Sequence, residues 1–247
     1  MSLNRLFADY SLNPFILVTS AYQKLDNAFA LKRPDLPLDM LFEIKGSKAD
    51  IIAKLKELKG KHWMFVSNNK PIKDLKSDVS YLNDNEVFER FTASKDAETQ
   101  RQFRKRGIKS LVTDFSQPHN SINRLTGTTG EGHFAPYSAD QMVYMPDIEI
   151  VIFFYLRDDI AVECLEEALN GIGEAGFGRD SSTGLGRFEV KRFNEIDLSV
   201  LGSKDANACY TLAPSVPQKD VLSNIFFTPL VRFCRHGDIT CEVRQTI

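Results

Sequence analysis

The pattern of hydrophobic and polar positions in the first third of the chain predicts strands around one amphipathic helix. Residues 14–22 (PFILVTSAY) and 62–66 (HWMFV) are dense in β-branched and aromatic side chains, which predicts two strands. Between them, apolar residues recur at helical spacing after Ser47, a residue type that favours helix N-caps. A helix is therefore predicted over residues 48–58.

The next segment turns polar and then strongly basic. Residues 67–99 predict no clear element, and residues 97–106 predict a helix that ends at Gly107. From residue 101 to residue 109 the sequence holds five lysines or arginines and no acid. Such a run fits a solvated helix face as well as an RNA-facing surface, so both interpretations stay open.

The second half predicts strands around another helix, which covers residues 160–170 with Asp158 or Asp159 as its expected N-cap. Strands are predicted at 141–145, 148–156, 187–192, 208–212 and 226–233. The order strand, helix, glycine-rich loop, strand is half of a ferredoxin-like (RRM-like) unit. We therefore expect an α+β fold with antiparallel sheets, built from two such units over residues 1–115 and 116–247.

Composition and charge describe an ordinary globular chain rather than a generally basic one. The 247 residues are 43% hydrophobic, and the formal net charge is −2, so a nucleic-acid site must be a local patch or be shared with other subunits. The longest apolar run, at 148–156, is far shorter than the ~20 residues that span a bilayer, so no membrane contact is expected. The four cysteines lack C-x-x-C spacing and predict free thiols in a reducing cytoplasm, and no metal or other cofactor is expected.

Residues 171–188 (GIGEAGFGRDSSTGLGRF) have the most distinctive composition, because six of them are glycines. The spacing at 171–176 fits G-x-G-x-x-G, but a helix precedes it and a strand follows, the reverse of a dinucleotide site. No G-K-S or G-K-T triplet occurs, which excludes a Walker loop.

The same segment suits phosphate oxygens. Glycines let backbone amides approach a ligand, and consecutive amides form concave nests for anions. Arg179 and Arg187 add charge, and Ser181, Ser182 and Thr183 add hydroxyl donors. The alternative is a long structural turn whose arginines are simply solvated.

Three motifs carry a family resemblance. The sequence GFGRDSSTGLGRFE from residue 176 resembles the glycine-rich motif of the RAMP superfamily of CRISPR proteins. Residues 117–137 (QPHNSINRLTGTTGEGHFAPY) resemble the H-N-x-I-N/D-R-x-T-G-T-T block of subunit four of the type III-A effector, the Csm complex. Residues 227–238 (FTPLVRFCRHGD) resemble that family's R-F-x-R-H-G-D segment.

The resemblance implies a protein without catalytic activity that binds the 5′ handle of the guide RNA (crRNA). It also implies contacts with the large polymerase/cyclase subunit and with the backbone RAMP subunit. The resemblance, together with the hydroxyl donors Ser181 and Thr183 of the glycine-rich loop, gives these expected RNA-binding residues: His119, Asn120, Asn123, Arg124, Thr128, Thr129, Gly176, Gly178, Arg179, Ser181, Ser182, Thr183, Gly184, Gly186, Arg187, Arg232, Arg235 and His236.

Each residue type suggests its own part in such a site. The arginines suit phosphate through paired, charge-assisted hydrogen bonds. Asn120 and Asn123 suit the base edges of single-stranded RNA. Phe134 and Tyr137 suit base stacking, with core packing as the alternative, and for the two histidines a structural role is the alternative.

The chain departs from the family at both ends. It begins late in the family's first helix, at LNRLFADY, and ends soon after R-H-G-D, where the family continues. The first ferredoxin-like unit is therefore expected to lack its N-terminal strand.

Two other functions stay open. A metal-independent endoribonuclease that processes repeat RNA needs a general base near a 2′-hydroxyl, commonly a histidine. His119 with Arg124 or Arg179 offers such a pairing, although we expect the early region that carries the catalytic histidine in processing members to be missing. The other function is a scaffold subunit that contacts only protein.

Overall fold

The structure is a computed structural model that describes residues 7–8, 10, 12–67, 70–130, 132–178, 180–203, 205–218 and 220–231. The strands are β1 (Ile16–Val18), β2 (Tyr22–Leu25), β3 (Ala28–Lys32), β4 (Trp63–Ser67), β5 (Ser80–Leu82), β6 (Val112–His119), β7 (Tyr137–Tyr144), β8 (Glu149–Val151) and β9 (Phe154–Leu156). The helices are α1 (Leu38–Leu41), α2 (Lys48–Lys59), α3 (Asp84–Ala93), α4 (Ala97–Arg106) and α5 (Val162–Ala175). Single 3₁₀ turns lie at Gly132–Phe134, Ser181–Thr183 and Leu198–Leu201.

A five-stranded antiparallel sheet in the order β5-β4-β3-β2-β8 forms the centre of the described structure. Its middle strand, β3, is buried from Ala28 to Leu31, because both faces of the sheet are covered. A two-residue turn joins β2 to β3, and Asp26 takes a φ of 52° there, a left-handed conformation that aspartate tolerates better than most residues.

The two faces of this sheet carry separate hydrophobic cores. Phe29, Leu31, Met64 and Val66 point to one face, where α1 and Phe153 cover them. The alternate side chains on the other face pack against α3 and α4; this core consists of Leu25, Ala28, Ala30, Phe65, Val87, Phe91 and Leu111, with Phe103 against it. The side-chain alternation of β3 and β4 thus holds the basic helix α4 against the sheet.

Two helices begin and end as the sequence predicts. Ser47 caps α2 through a capping box with Asp50, whose carboxylate accepts the Ser47 amide at 3.2 Å. Asp96 caps α4, and Gly107 ends it with a φ of 66°. Both predicted helices are therefore confirmed within a residue or two.

A helix forms where one was predicted at 160–170, but it continues to Ala175, so Gly171 and Gly173 are helical, and its cap is not the aspartate that was expected. It begins at Val162, after Ala161, and no side chain caps it. Asp159 is held instead by the guanidinium group of Arg157, at 2.6 and 2.9 Å, and so does not serve as a cap.

The strands predicted at 14–22 and 148–156 are each broken in two by a shared irregularity. Val18 lies opposite Phe154 and Tyr22 lies opposite Val151, so three residues separate the paired positions on one side and two on the other. One extra residue on one strand is the definition of a β-bulge. The hydroxyl of Thr19 accepts the Phe153 amide at 3.0 Å. This amide therefore has an acceptor although the bulge interrupts the backbone hydrogen bonds between the strands.

The strands predicted at 187–192, 208–212 and 226–233 do not form among the described residues, which end at 231. The segment around 208–212 is attached to the sheet by single contacts instead of a ladder. The hydroxyl of Tyr210 donates to the Lys32 carbonyl at 2.7 Å, and the hydroxyl of Tyr22 donates to the Leu212 carbonyl at 2.6 Å.

The remaining long element is a two-stranded ribbon of β6 and β7. Eight positions pair, from Val112 opposite Tyr144 to His119 opposite Tyr137. Most of its side chains are exposed on both faces, and only its first residues reach the core. The fold is thus mixed, with antiparallel sheets, while the two ferredoxin-like units and their boundary stay predictions.

Candidate nucleic-acid interface

The H-N-x-I-N-R motif lies in the loop at the outer end of the β6–β7 ribbon. We call residues 120–136 the tip loop. His119 and Tyr137, the last pair of the ribbon, stack across its base with ring centroids 5.3 Å apart and an interplanar angle of 14°. These two residues therefore close the ribbon and position the loop, which fits the structural alternative for His119.

Asn123 organises the interior of the tip loop. Its amide donates to the Thr128 carbonyl at 3.0 Å, and its own carbonyl accepts the Gly127 amide at 2.8 Å. Its side-chain oxygen accepts the Leu125 amide at 2.9 Å. Since the side-chain carbonyl accepts one bond within the loop, the orientation of the Asn123 amide is fixed, and its NH₂ group is free of described partners and available to a base.

The remaining polar residues of the motif face solvent. Arg124, Asn120, Thr128 and Thr129 are all exposed. Among the described residues the Arg124 guanidinium has neither a hydrogen bond nor an ion pair. The loop thus presents one cation and several hydrogen-bond groups around a rigid turn.

Two exposed apolar side chains lie beside these polar residues, and neither was predicted as a site residue. Leu125 is 95% exposed and Ile122 is 61% exposed. Their place in the motif indicates this exposure, because an apolar side chain within a polar loop has no core to pack into. They suit contact with the apolar face of a base or with another protein surface.

The ribbon below the loop has two different faces. Asp114 and Asp140 point to one face, which therefore repels phosphate. The other face carries Phe115, a hydrogen-bonded pair of Gln117 and Gln141 with a distance of 2.9 Å, and no Asp, Glu, Lys or Arg. The electrostatics thus favour this second face for a nucleic acid.

The glycine-rich loop follows α5 and closes on itself. The Phe177 amide donates to the Gly186 carbonyl at 2.9 Å, and the Phe188 amide donates to the Gly173 carbonyl at 3.3 Å. A Cβ on Gly186 would overlap the Phe177 carbonyl oxygen, and a Cβ on Gly176 would overlap that of Leu185. These glycines are thus required because two stretches of backbone touch, which differs from the expected role of freeing amides for a ligand.

The hydroxyl-bearing turn of this loop is partly engaged as well. Thr183 donates both its amide, at 3.1 Å, and its hydroxyl, at 2.7 Å, to the Asp180 carbonyl. Gly178 and Gly184 take φ values of 110° and 91°, which favour glycine. Ser182 is exposed and Ser181 is half-buried, so Ser182 is the more accessible hydroxyl.

Arg187 is the described cation of the glycine-rich loop. Its side chain is exposed, and no described residue forms an ion pair or a hydrogen bond with its guanidinium group. The negative end of the α5 dipole and Glu174 lie at the start of the loop, so a phosphate must rely on arginine there. Arg179, Arg232, Arg235 and His236 lie outside the described residues.

The described residues hold neither a metal cluster nor a membrane-spanning helix. Within the described ranges no group of three or more His, Cys, Asp or Glu side chains is placed to hold a metal ion. No helix in that part of the chain has both the length and the apolarity needed to cross a lipid bilayer.

Comparison with known proteins gives loose likenesses to solved structures but no family. No family model matches the chain, and no curated protein matches it. A similar solved structure is the crystal structure of a Csm3-Csm4 subcomplex in the type III-A CRISPR-Cas interference complex, with 15% sequence identity and a TM-score of 0.33. The match covers 76% of this chain and 56% of that one, so this chain spans little more than half of it.

Proposed function

We propose that this chain is a non-catalytic RNA-binding subunit of a type III-A CRISPR ribonucleoprotein. It holds the 5′ handle of the guide RNA in the cytoplasm and contacts the large polymerase/cyclase subunit and a backbone RAMP subunit. The resemblance of three sequence motifs to subunit four of the Csm complex supports this assignment. The partners follow from that resemblance, whereas the RNA-binding surface is also supported by the geometry of the ribbon.

The observation that carries the proposal is the position of Arg124. The ribbon pairs eight residues on each strand, which sets the tip loop about 27 Å from the ribbon base at ~3.4 Å per residue. At that distance Arg124 is exposed, and no carboxylate of the described residues neutralises it. An unpaired guanidinium on a rigid turn is suited to a phosphate by charge-assisted hydrogen bonds.

The neighbouring groups define how the RNA lies. Its bases face the uncharged side of the ribbon, near Phe115 and the stacked His119 and Tyr137, because the opposite side carries two aspartates. Its backbone passes the hydroxyl and amide groups of the tip loop. Arg187 adds a second phosphate contact from the glycine-rich loop.

The proposal is tested by removing the two described arginines together. In the Arg124→Gln, Arg187→Gln variant, two phosphate contacts are lost, and the slope of log affinity against log salt for single-stranded repeat RNA falls by about 1.4. The same arithmetic predicts an affinity loss of about 25-fold at 0.1 M salt. Fluorescence anisotropy with labelled repeat RNA measures both quantities.

Lys73→Gln with Lys76→Gln is the matched control, because both lysines are exposed and the change of net charge is the same. We expect this control to bind like the wild type. Equal binding by the arginine variant and the wild type would contradict the RNA site. Gel analysis of the same RNA separates binding from processing, since cut RNA would favour the endoribonuclease.

A further inference from the structure

The outer face of α4 is the strongest basic surface of the described structure that the motifs do not include. At 100° per residue, Arg101 and Lys105 lie on the helix side opposite Phe103, together with Glu98, and Arg104 lies on the adjoining flank. All three side chains are exposed. No described carboxylate lies within ion-pair distance of them, including Glu98, the single acid of the helix.

The inner face of α4 fixes this basic face in place. Phe103 packs against Phe88 and Phe91, with ring centroids 6.4 and 6.5 Å apart, within the core beneath the sheet. Asp96 caps the start of the helix by accepting the Thr99 amide at 2.7 Å. The cations are therefore presented on a packed element and not on a mobile loop.

Helix stability does not account for so many cations. Positive charge favours the last turn of a helix, which explains Arg104, Lys105 and Arg106. Arg101 lies a turn earlier, at i,i+3 and i,i+4 from two of these cations, where like charges repel by a few tenths of a kcal/mol. Because the whole chain has a net charge of −2, this local excess also contrasts with the rest of the molecule.

The basic helix adjoins the base of the ribbon. After Gly107, exposed Lys109 adds one more cation, and buried Leu111 packs in the same core as Phe91. The Leu111 carbonyl accepts the Met145 amide at 2.9 Å, directly below the first pair of the ribbon. An RNA strand that runs along the ribbon toward the body of the protein therefore reaches α4.

We propose that the outer face of α4 binds the sugar–phosphate backbone of single-stranded RNA, without reading its sequence. This inference rests on the proposed function and extends its site from the ribbon to the helix. Arg101 and Lys105 lie about 6 Å apart along the helix axis, with no apolar residue on the outer face between them. Protein interfaces have an apolar, charge-depleted core, so this face suits a polyanion better than a protein partner.

The test replaces the three outer cations together in the full chain. In the Arg101→Gln, Arg104→Gln, Lys105→Gln variant, the salt slope of binding to labelled oligouridylate falls by about 2, and affinity at 0.1 M salt falls about a hundredfold. Lys48→Gln, Lys56→Gln, Lys59→Gln is the control, because α2 carries these three exposed lysines and the charge change is identical. Thermal unfolding of both variants verifies that the fold is intact.

The outcomes separate this inference from the proposed function. If the wild type itself shows no salt-dependent RNA binding, the proposed function fails and the inference fails with it. If the wild type binds and both triple variants bind equally well, only the α4 site is overturned. Unchanged RNA affinity together with lost assembly with partner subunits would also overturn it, and would assign the face to an acidic protein surface.

Discussion

At the scale of single residues, Gly186 illustrates how one missing side chain permits a whole loop. Its backbone contacts the backbone of Phe177, and its φ of 70° is in the left-handed region. The glycine-rich composition predicts backbone amides open to a ligand, because composition shows that a loop is rich in glycine but not which backbone atoms come into contact. Only the folded chain brings residue 186 back onto residue 177.

We expect Gly186→Ala to destabilise the protein by about 1–3 kcal/mol, the usual cost of a left-handed non-glycine residue. The overlap of the new Cβ with the Phe177 carbonyl oxygen adds to this cost. Urea denaturation followed by circular dichroism measures the loss. Gly171→Ala is the control, because this helical glycine has open space around its Cβ position, and alanine favours helices. A Gly186→Ala variant as stable as the wild type would contradict the described close approach.

At the scale of elements, Thr19 decides how the bulge between the two sheets is satisfied. Thr19→Val keeps the shape of the side chain but leaves the Phe153 amide without its acceptor, so we expect a loss of about 1–3 kcal/mol. Urea denaturation measures it. Thr113→Val is the matched control, since Thr113 is exposed on the ribbon and its hydroxyl has no described partner. Equal stability of the two variants would show that the hydroxyl does not support the bulge.

Elements whose determinants are local could be predicted from the sequence. The helices α2 and α4 have a side-chain cap, helical spacing and a glycine within a dozen residues, so the pattern includes everything that defines them. The bulge depends on pairing between residues 16–25 and 149–156, which are far apart in the chain. One extra residue in a strand also produces no recognisable pattern of hydrophobic and polar positions. The first predicted strand stopped at residue 22, so β3 and most of β2 were not predicted.

The candidate site shows the same division. Residues 117–137 were recognised as a unit because their polar composition is continuous along the chain. The sequence did not indicate that His119 and Tyr137 stack across the ribbon, because that contact depends on the register of β6 and β7. Nor did it indicate that Asn123 uses its carbonyl oxygen within the loop.

At the scale of the whole molecule, tyrosines with raised pKa values couple stability to high pH. Burial raises the pKa of Tyr81 to about 12, and burial also raises the pKa of Tyr22 and of Tyr210 above its ordinary value. The folded state thus keeps protons that the unfolded state releases near pH 10. Stability from these groups is complete below about pH 10 and is lost as the pH rises toward 12.

We therefore expect the free energy of unfolding to fall steeply between about pH 10 and 12, and less steeply in Tyr81→Phe, which cannot ionise. Denaturation curves at several pH values measure the two slopes. Tyr155→Phe is the control, because this tyrosine is exposed. A Tyr81→Phe variant with the slope of the wild type would contradict the assignment.

The ribbon has a further property that follows from its pairing alone. Since only its first residues reach the core, its length is independent of how the body of the protein packs. Adding two residues to each strand would extend the reach by about 7 Å and return the tip loop to the same side. Adding one residue to each would turn the loop to the opposite side. The reach of the ribbon can thus be changed in steps of two residues per strand, with the rest of the architecture unchanged.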